Sequence, residues 1–269
     1  MEKMTKQDQL LIQKQGGLCT LVIDNPEKKN LLTTNCLLSL AQALEDLKND
    51  PDVRVVILRG SGEEAFSAGY DISALPTKPT GDLAESLKED PPVERACRAV
   101  ETFPYPVIAM LNGFAYGGGC ELAVACDLRI AAEHVKMAMP PARLGLVYSY
   151  TGYRRFMTVL GFSRSMELFL TGRRYESRDC YHMGLVNHVV ETRKLEPFTY
   201  DLGREISENA PLSTQGTKFA LHKMAASPVL NERDEAMLRS LFVQSLQSED
   251  MAEAKEAFLN KRKPRFKGK

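Results

Sequence analysis

The chain has 269 residues, 43% of them hydrophobic, enough to bury a substantial core as one large domain or a domain with an appendage. Lysine plus arginine and aspartate plus glutamate balance at 35 each, so no global field recruits nucleic acid or an anionic membrane, although the last nine residues are locally basic. The start MEKMTKQDQLLIQKQGG lacks the apolar core of a signal peptide and no apolar run approaches the ~20 residues of a membrane span, so the expected compartment is the cytoplasm.

In chain order, strand-like runs alternate with helical ones. LCTLVID (18–24) reads as a strand, and NCLLSLAQALEDLKND (35–50) as a helix with Leu37, Leu40, Ala41, Leu44 and Leu47 on one face. Thr33 or Thr34 is available as its N-cap. VRVVILRG, YPVIAMLNG and LRIAAE continue the strands, which indicates α/β architecture. Between Pro76 and Pro92 a polar, proline-rich stretch breaks the rhythm and reads as a surface loop, either a lid over a site or an inert insertion. After about residue 195 only helical patterns remain, which divides the chain into a core (1–194) and a helical region (195–269). Six cysteines without a CxxC pair lie mostly in apolar segments and read as reduced, buried thiols. The four histidines share no motif and no metal spacing, so no metal site is expected.

The stretch NGFAYGGGCELAVACD (112–127) places Gly117, Gly118 and Gly119 directly before a helix-forming run. Such a run exposes peptide N–H groups at a helix N-terminus, where the dipole favours an oxygen that gains negative charge, such as a thioester carbonyl becoming an enolate. Phosphate would suit the same donors, but neither nucleotide-binding glycine motif is present. Taken alone, the glycines equally mark close packing of helix on sheet.

A second stretch, EAFSAGYDISALP (64–76), turns out of a strand through Ser67, Ala68 and Gly69 into Tyr70 and Asp71. Phe66 to Ile72 and Asn112 to Asp127 together resemble the two paired motifs of the crotonase (enoyl-CoA hydratase/isomerase) superfamily, and RLGLVY (143–148), residues 170–190 and AFLNKRKPRF (257–266) extend the resemblance over nearly the whole chain. It implies a spiral of ββα units followed by C-terminal helices. It also implies an acyl-CoA substrate whose thioester oxygen sits in an oxyanion hole made by the amides of Tyr70 and Gly118. The backbone around Ala68, Asp71 and Ile72 would receive the adenine, and Lys28 or Lys29 the phosphates; the basic residue that often follows in the family is here Ser73. No cofactor beyond the coenzyme A moiety of the substrate is implied.

Hydratases of this family use two glutamates. Glu121 matches the first, and Pro141, in PPARLG (140–145), stands where the second would be. Proline cannot transfer a proton, which disfavours ordinary hydration. Glu121 is open to two readings, a catalytic group or an acid that stabilises the first turn of its helix by ~0.3–1 kcal/mol. The proline, Tyr148 after LGLV and the polar ring of Tyr70 resemble the methylmalonyl-CoA decarboxylase branch, which has histidine where Tyr70 stands. Tyr148 and Tyr70 are therefore candidates for holding the leaving carboxylate and protonating the α-carbon, with Tyr116, Tyr150 and Tyr153 as further pocket residues. Two alternatives remain: a hydratase or isomerase using Glu121 alone, and a non-catalytic acyl-CoA binder. Asp127, at the helix end, is expected to be structural.

By the same resemblance, Phe258 and Lys261 reach the coenzyme A of a neighbouring subunit. The apolar Met237, Leu238, Leu241, Phe242 and Leu246 require a partner surface, which fits a homotrimer or a hexamer built as a dimer of trimers.

Overall fold

The computed structural model describes residues 3–7, 9–71, 91–226 and 231–269. Ile72 and most of the proline-rich loop therefore lie outside the described residues, as do the side chains of Leu238, Leu241, Phe242 and Phe258. Two antiparallel strands open the chain, β1 (Lys3–Gln7) and β2 (Leu10–Gln15), and β2 pairs with β3 (Leu18–Ile23). Neither β1 nor β2 is legible from periodicity: β1 is the polar run KMTKQ, and β2 is mostly half-buried, so neither shows a clean apolar face.

Helix α1 (Thr34–Leu47) follows, capped by Thr33, whose hydroxyl accepts from the Cys36 amide at 3.2 Å. Its Leu37, Leu40, Ala41, Leu44 and Leu47 are all buried, as the spacing predicts. The chain then winds in turns of two strands and a helix: β4 (Val55–Gly60) with β5 (Ala65–Ser67), then α2 (Pro92–Thr102); β6 (Val107–Leu111) with β7 (Phe114–Tyr116), then α3 (Gly118–Ala125). The last turn is β8 (Leu128–Ala132), β9 (Lys136–Ala138) and α4 (Tyr150–Thr171), with a break in helical geometry at Gly161. β10 (Tyr175–Glu176), α5 (Ser177–His182) and β11 (His188–Val190) complete the spiral.

Each turn thus gives one strand to each of two sheets. Among the described residues the larger runs β1-β2-β3-β4-β6-β8-β11, parallel from β3 onward, and the smaller runs β10-β9-β7-β5. Parallel strands covered on both faces need apolar residues throughout, and β3 and β6 are buried at every position. This is the crotonase spiral that the paired motifs imply.

After Val190 the described chain is helical: α6 (Leu195–Ser207), α7 (Pro211–Ala226), α8 (Glu232–Gln247) and α9 (Glu249–Leu259). Gly203 of α6 packs close to Leu18 and Ile57, so this helix covers the larger sheet. All six cysteines are free and buried. No helix among the described residues is long and apolar enough to cross a membrane. The basic tail is docked rather than frayed: the amides of Lys267 and Gly268 donate to Asp250, Arg262 pairs with Glu253, and Arg54 donates to the Phe266 carbonyl.

Candidate active site

The two glycine-bearing motifs meet because the neighbouring strands β5 and β7 lead into them. β5 and β7 pair in parallel, and the chain leaves β5 through Ser67, Ala68 and Gly69 and leaves β7 through Gly117 into α3. The contact is too close for side chains. A Cβ on Gly119 would lie 2.6 Å from the Ser67 Cβ, and one on Gly118 would lie 3.2 Å from the Tyr70 amide nitrogen. The amides of Tyr70 and Gly118 therefore flank one small space at the N-terminus of α3, and neither is engaged by a described acceptor. The turn is fixed from behind, since Gly117 donates to Ala138 at 2.9 Å, Gly69 donates to the Ser67 hydroxyl at 3.0 Å, and Asp71 donates to Leu32 at 3.1 Å.

Glu121 lies one turn further along α3 and is 2% exposed. Its Oε2 accepts from the Tyr148 hydroxyl at 2.5 Å, and its Oε1 accepts from Arg155 Nη1 at 2.9 Å. Burial pushes the Glu121 carboxyl above its ordinary range, opposed by the bonds from Tyr148 and Arg155. The Tyr148 phenol is pushed well above its usual value by burial and by the facing carboxylate, so Tyr148 stays a protonated donor. Gly152, at the start of α4, makes room for this pair: a Cβ there would fall 2.6 Å from the Tyr148 ring and 2.9 Å from Glu121 Oε1. The Tyr148 amide donates to the Tyr153 hydroxyl at 3.1 Å, which packs edge-on against Phe169.

Sequence reasoning missed Arg155 and its other partners, Glu94 and Glu101. The guanidinium carries five N–H donors, and all five are used: Nε to Glu101, Nη1 to Glu94 and Glu121, and Nη2 to Glu94 and Glu101. Arg155 comes from α4 and both further carboxylates from α2, 54 and 61 positions away in the chain. No local motif connects such residues, and α2 itself balances Glu94 and Glu101 with Arg95 and Arg98.

The remaining candidates are placed as follows. The Tyr70 hydroxyl is 3.0 Å from Thr34 Oγ1, at the first residue of α1, so its amide rather than its phenol borders the Gly118 amide. Lys29 is held beside the motif by a bond from the Ala68 amide to its carbonyl at 2.9 Å, and its ammonium pairs with Glu64 at 2.7 Å on the surface. Lys28 ends the 3-10 turn just before it. Tyr116 stacks on Phe114 under Arg174, and Tyr150 is 79% exposed, which sets it apart from the buried pair. Pro141 is buried and begins the 3-10 turn Pro141–Leu144, which leads into Tyr148. Phe258 lies in the last turn of α9 and the exposed Lys261 follows it; the bonds of this tail run to Glu208 at the end of α6, to α9 and to Arg54.

Two amides without described acceptors at a helix N-terminus, beside a buried acid, suit an oxygen that gains negative charge. The family model for enoyl-CoA hydratase/isomerase matches residues 13–269. The chain belongs to that family. It is 37% identical over 246 residues to methylmalonyl-CoA decarboxylase of Escherichia coli, covering 90% of this chain and 91% of the relative. It is 31% identical over 254 residues to a short-chain-enoyl-CoA hydratase of Clostridium acetobutylicum, covering 94% and 95%. A crystal structure of an enoyl-CoA hydratase/carnithine racemase from Magnetospirillum magneticum superposes with a TM-score of 0.90 at 29% identity, over 98% of this chain and 97% of that one.

Proposed function

We propose that this enzyme decarboxylates a malonyl- or methylmalonyl-type CoA thioester. The observation that carries the reading is the Tyr148–Glu121 pair at 2.5 Å, in a chain with Pro141 where hydratases of the family place their second glutamate. Loss of carbon dioxide needs no general base: the bond between the α-carbon and the carboxylate breaks, and its electron pair moves into the thioester as an enolate. The Tyr70 and Gly118 amides hold the enolate oxygen, and they need no reorganisation because no protein group competes for them among the described residues. One proton is then consumed at the α-carbon. For this step Glu121 is protonated and its bond with Tyr148 reverses: Glu121 gives its proton to the Tyr148 oxygen while Tyr148 gives its own to the carbon, so the phenol ends neutral and Glu121 ends as a carboxylate.

The hydratase or isomerase reading rests on Glu121 alone and on relatives named for those reactions. Incubation with malonyl-, methylmalonyl- and crotonyl-CoA separates the alternatives. Release of carbon dioxide from either malonyl-type thioester is the expected result. Fast hydration of crotonyl-CoA would refute the reading, and no turnover of any thioester would leave an acyl-CoA binder.

The same reading extends to assembly. Exposed Met237 and Leu246 on α8 and Met251 on α9 support a trimer or hexamer in which Phe258 and Lys261 complete a neighbour's coenzyme site. Sedimentation as a monomer at micromolar concentration would defeat it, as would unchanged coenzyme A affinity in the Phe258→Ala, Lys261→Ala double variant.

A further inference from the structure

The reaction proposed above consumes a proton in a pocket that holds an arginine against the very carboxylate meant to supply it. An unshared guanidinium at 2.9 Å would keep Glu121 ionised and the pair short of its proton. Arg155 is not unshared. Both of its Nη groups donate to the two oxygens of Glu94, at 2.7 and 2.8 Å, and Nε and Nη2 donate to Glu101 at 2.6 and 3.1 Å. Glu121 receives the one remaining donor. With three carboxylates on one cation the cluster has an excess of two negative charges when all are ionised, and the partners on α2 hold the better geometry.

We propose that Glu94 is a positioning residue of this site: by occupying Arg155, and by its own charge, it leaves Glu121 free to take up the proton that the reaction consumes. The proposal rests on the decarboxylase reading for the use of that proton, but the tuning itself can be read without turnover. The surroundings agree with it. Among the described residues, Glu121 is faced from α2 by Glu94, Cys97 and Glu101, with Arg98 near Glu94, and from its own helix by Cys120. Tyr148 and Arg155 face it from the α4 side, and Tyr70 lies at the oxyanion hole. β5 and β7 carry no charged residue. Burial works against charge on Glu94, yet the bonds from Arg155 and Thr151 and the charge of Arg98 together offset it and hold that carboxyl below its ordinary range, while Glu121 is pushed above its own. The proton therefore goes to Glu121 and not to Glu94.

The test is an infrared titration of the full chain, with the Glu121 carboxyl band identified by its loss in Glu121→Gln. Glu94→Gln keeps the shape but removes the charge and one acceptor, so Arg155 should hold Glu121 harder and its proton affinity should fall roughly tenfold. Glu94→Asp should restore most of the wild-type affinity. If Glu94→Gln does not fold, Glu101→Gln releases donors of the same guanidinium and should shift Glu121 in the same direction. A folded variant of either kind with unchanged or raised Glu121 affinity overturns the proposal, as does failure of Glu94→Asp to restore it. In turnover, the alkaline limb of carbon dioxide release should move down by about one pH unit in Glu94→Gln. A wild-type protein that releases no carbon dioxide from either malonyl-type thioester removes the decarboxylase reading, whereas the infrared shift alone decides whether Glu94 controls the proton on Glu121.

Discussion

Two carboxylates flank α3 and are treated in opposite ways, the buried Glu121 near its start and the half-buried Asp127 just past its end. At the N-terminal end Glu121 shares one arginine with two other acids, beside amides without described acceptors. At the C-terminal end Asp127 is the one carboxylate that Lys218 and His222 pair with among the described residues, each at 2.8 Å, while Lys218 also donates to the Val100 and Tyr105 carbonyls; Asp127 accepts further from the Val107 amide at 2.7 Å. Arg129 closes that end by donating to the Val124 and Cys126 carbonyls, where a cation also complements the helix dipole. Burial opposes charge on Asp127, but His222 and Lys218 outweigh it and its carboxyl titrates below the ordinary range, while burial prevails at Glu121. A carboxylate with a surplus of donors locks α7 against the core; one with a shortage is left able to exchange a proton. The difference sets a structural acid just past this eight-residue helix apart from the acid proposed to carry the reacting proton.

That contrast can be broken from either end. Gly118→Pro removes the N–H proposed to bind the thioester oxygen at N1 of α3, and its ring crowds the Tyr70 amide, 3.2 Å from where its Cβ would fall, so turnover should fall by at least ~10²–10³-fold. Normal turnover would place the oxyanion site elsewhere. Asp127→Asn strips the charge from a pair with Lys218 and should cost about 3 kcal/mol at neutral pH by denaturant unfolding. Because the folded-state value of Asp127 lies below the ordinary 3.8, its contribution is complete above that pH and disappears as pH falls through the folded value. A loss that persisted undiminished at lower pH would show a packing role instead. Tyr148→Phe removes the donor to Glu121 and the last atom of the proposed proton path, so turnover of the malonyl-type thioester should drop ~10²-fold, with coenzyme A affinity little changed. Glu121→Gln should have the smallest effect on stability. A carboxyl raised above its ordinary 4.5 favours the folded state below that value and disfavours it as pH rises through the folded value. The variant should therefore match or exceed wild type by up to about 1 kcal/mol at pH 7, with the gain vanishing below pH 4.5, while activity is lost. A destabilisation of ~0.3–1 kcal/mol would favour the helix-stabilising reading of Glu121.

Elements with strong periodicity were legible in the sequence, and so was the backbone of the site. The α1 stripe, the buried strands and the late helices follow from residue spacing, and the glycine run announces a close approach that the structure shows between Gly119 and Ser67. The short strands β5, β7 and β9 have three residues each, too few for a period, so the second sheet was not read. Helix α4, with polar residues on most faces and a break at Gly161, gave no amphipathic stripe either, and with it Arg155 went unseen. Asp127 illustrates the other limit: its structural role was expected from its place at the helix end, but its partners, Lys218 and His222, lie 91 and 95 positions further on in a different helix. Charge clusters assembled by tertiary packing have no sequence period. Only the fold brings three glutamates onto one guanidinium.

The central claim is that this site makes its enolate by expelling carbon dioxide and then adds one proton from Glu121 through Tyr148. The most direct measurement is turnover of methylmalonyl- or malonyl-CoA, labelled with carbon-13 in the free carboxylate, in deuterated water beside crotonyl-CoA as competitor. Labelled carbon dioxide together with an acyl-CoA carrying one deuterium at the α-carbon, and crotonyl-CoA left intact, is the result expected. Retention of the label with conversion of crotonyl-CoA to its hydrated product would contradict it.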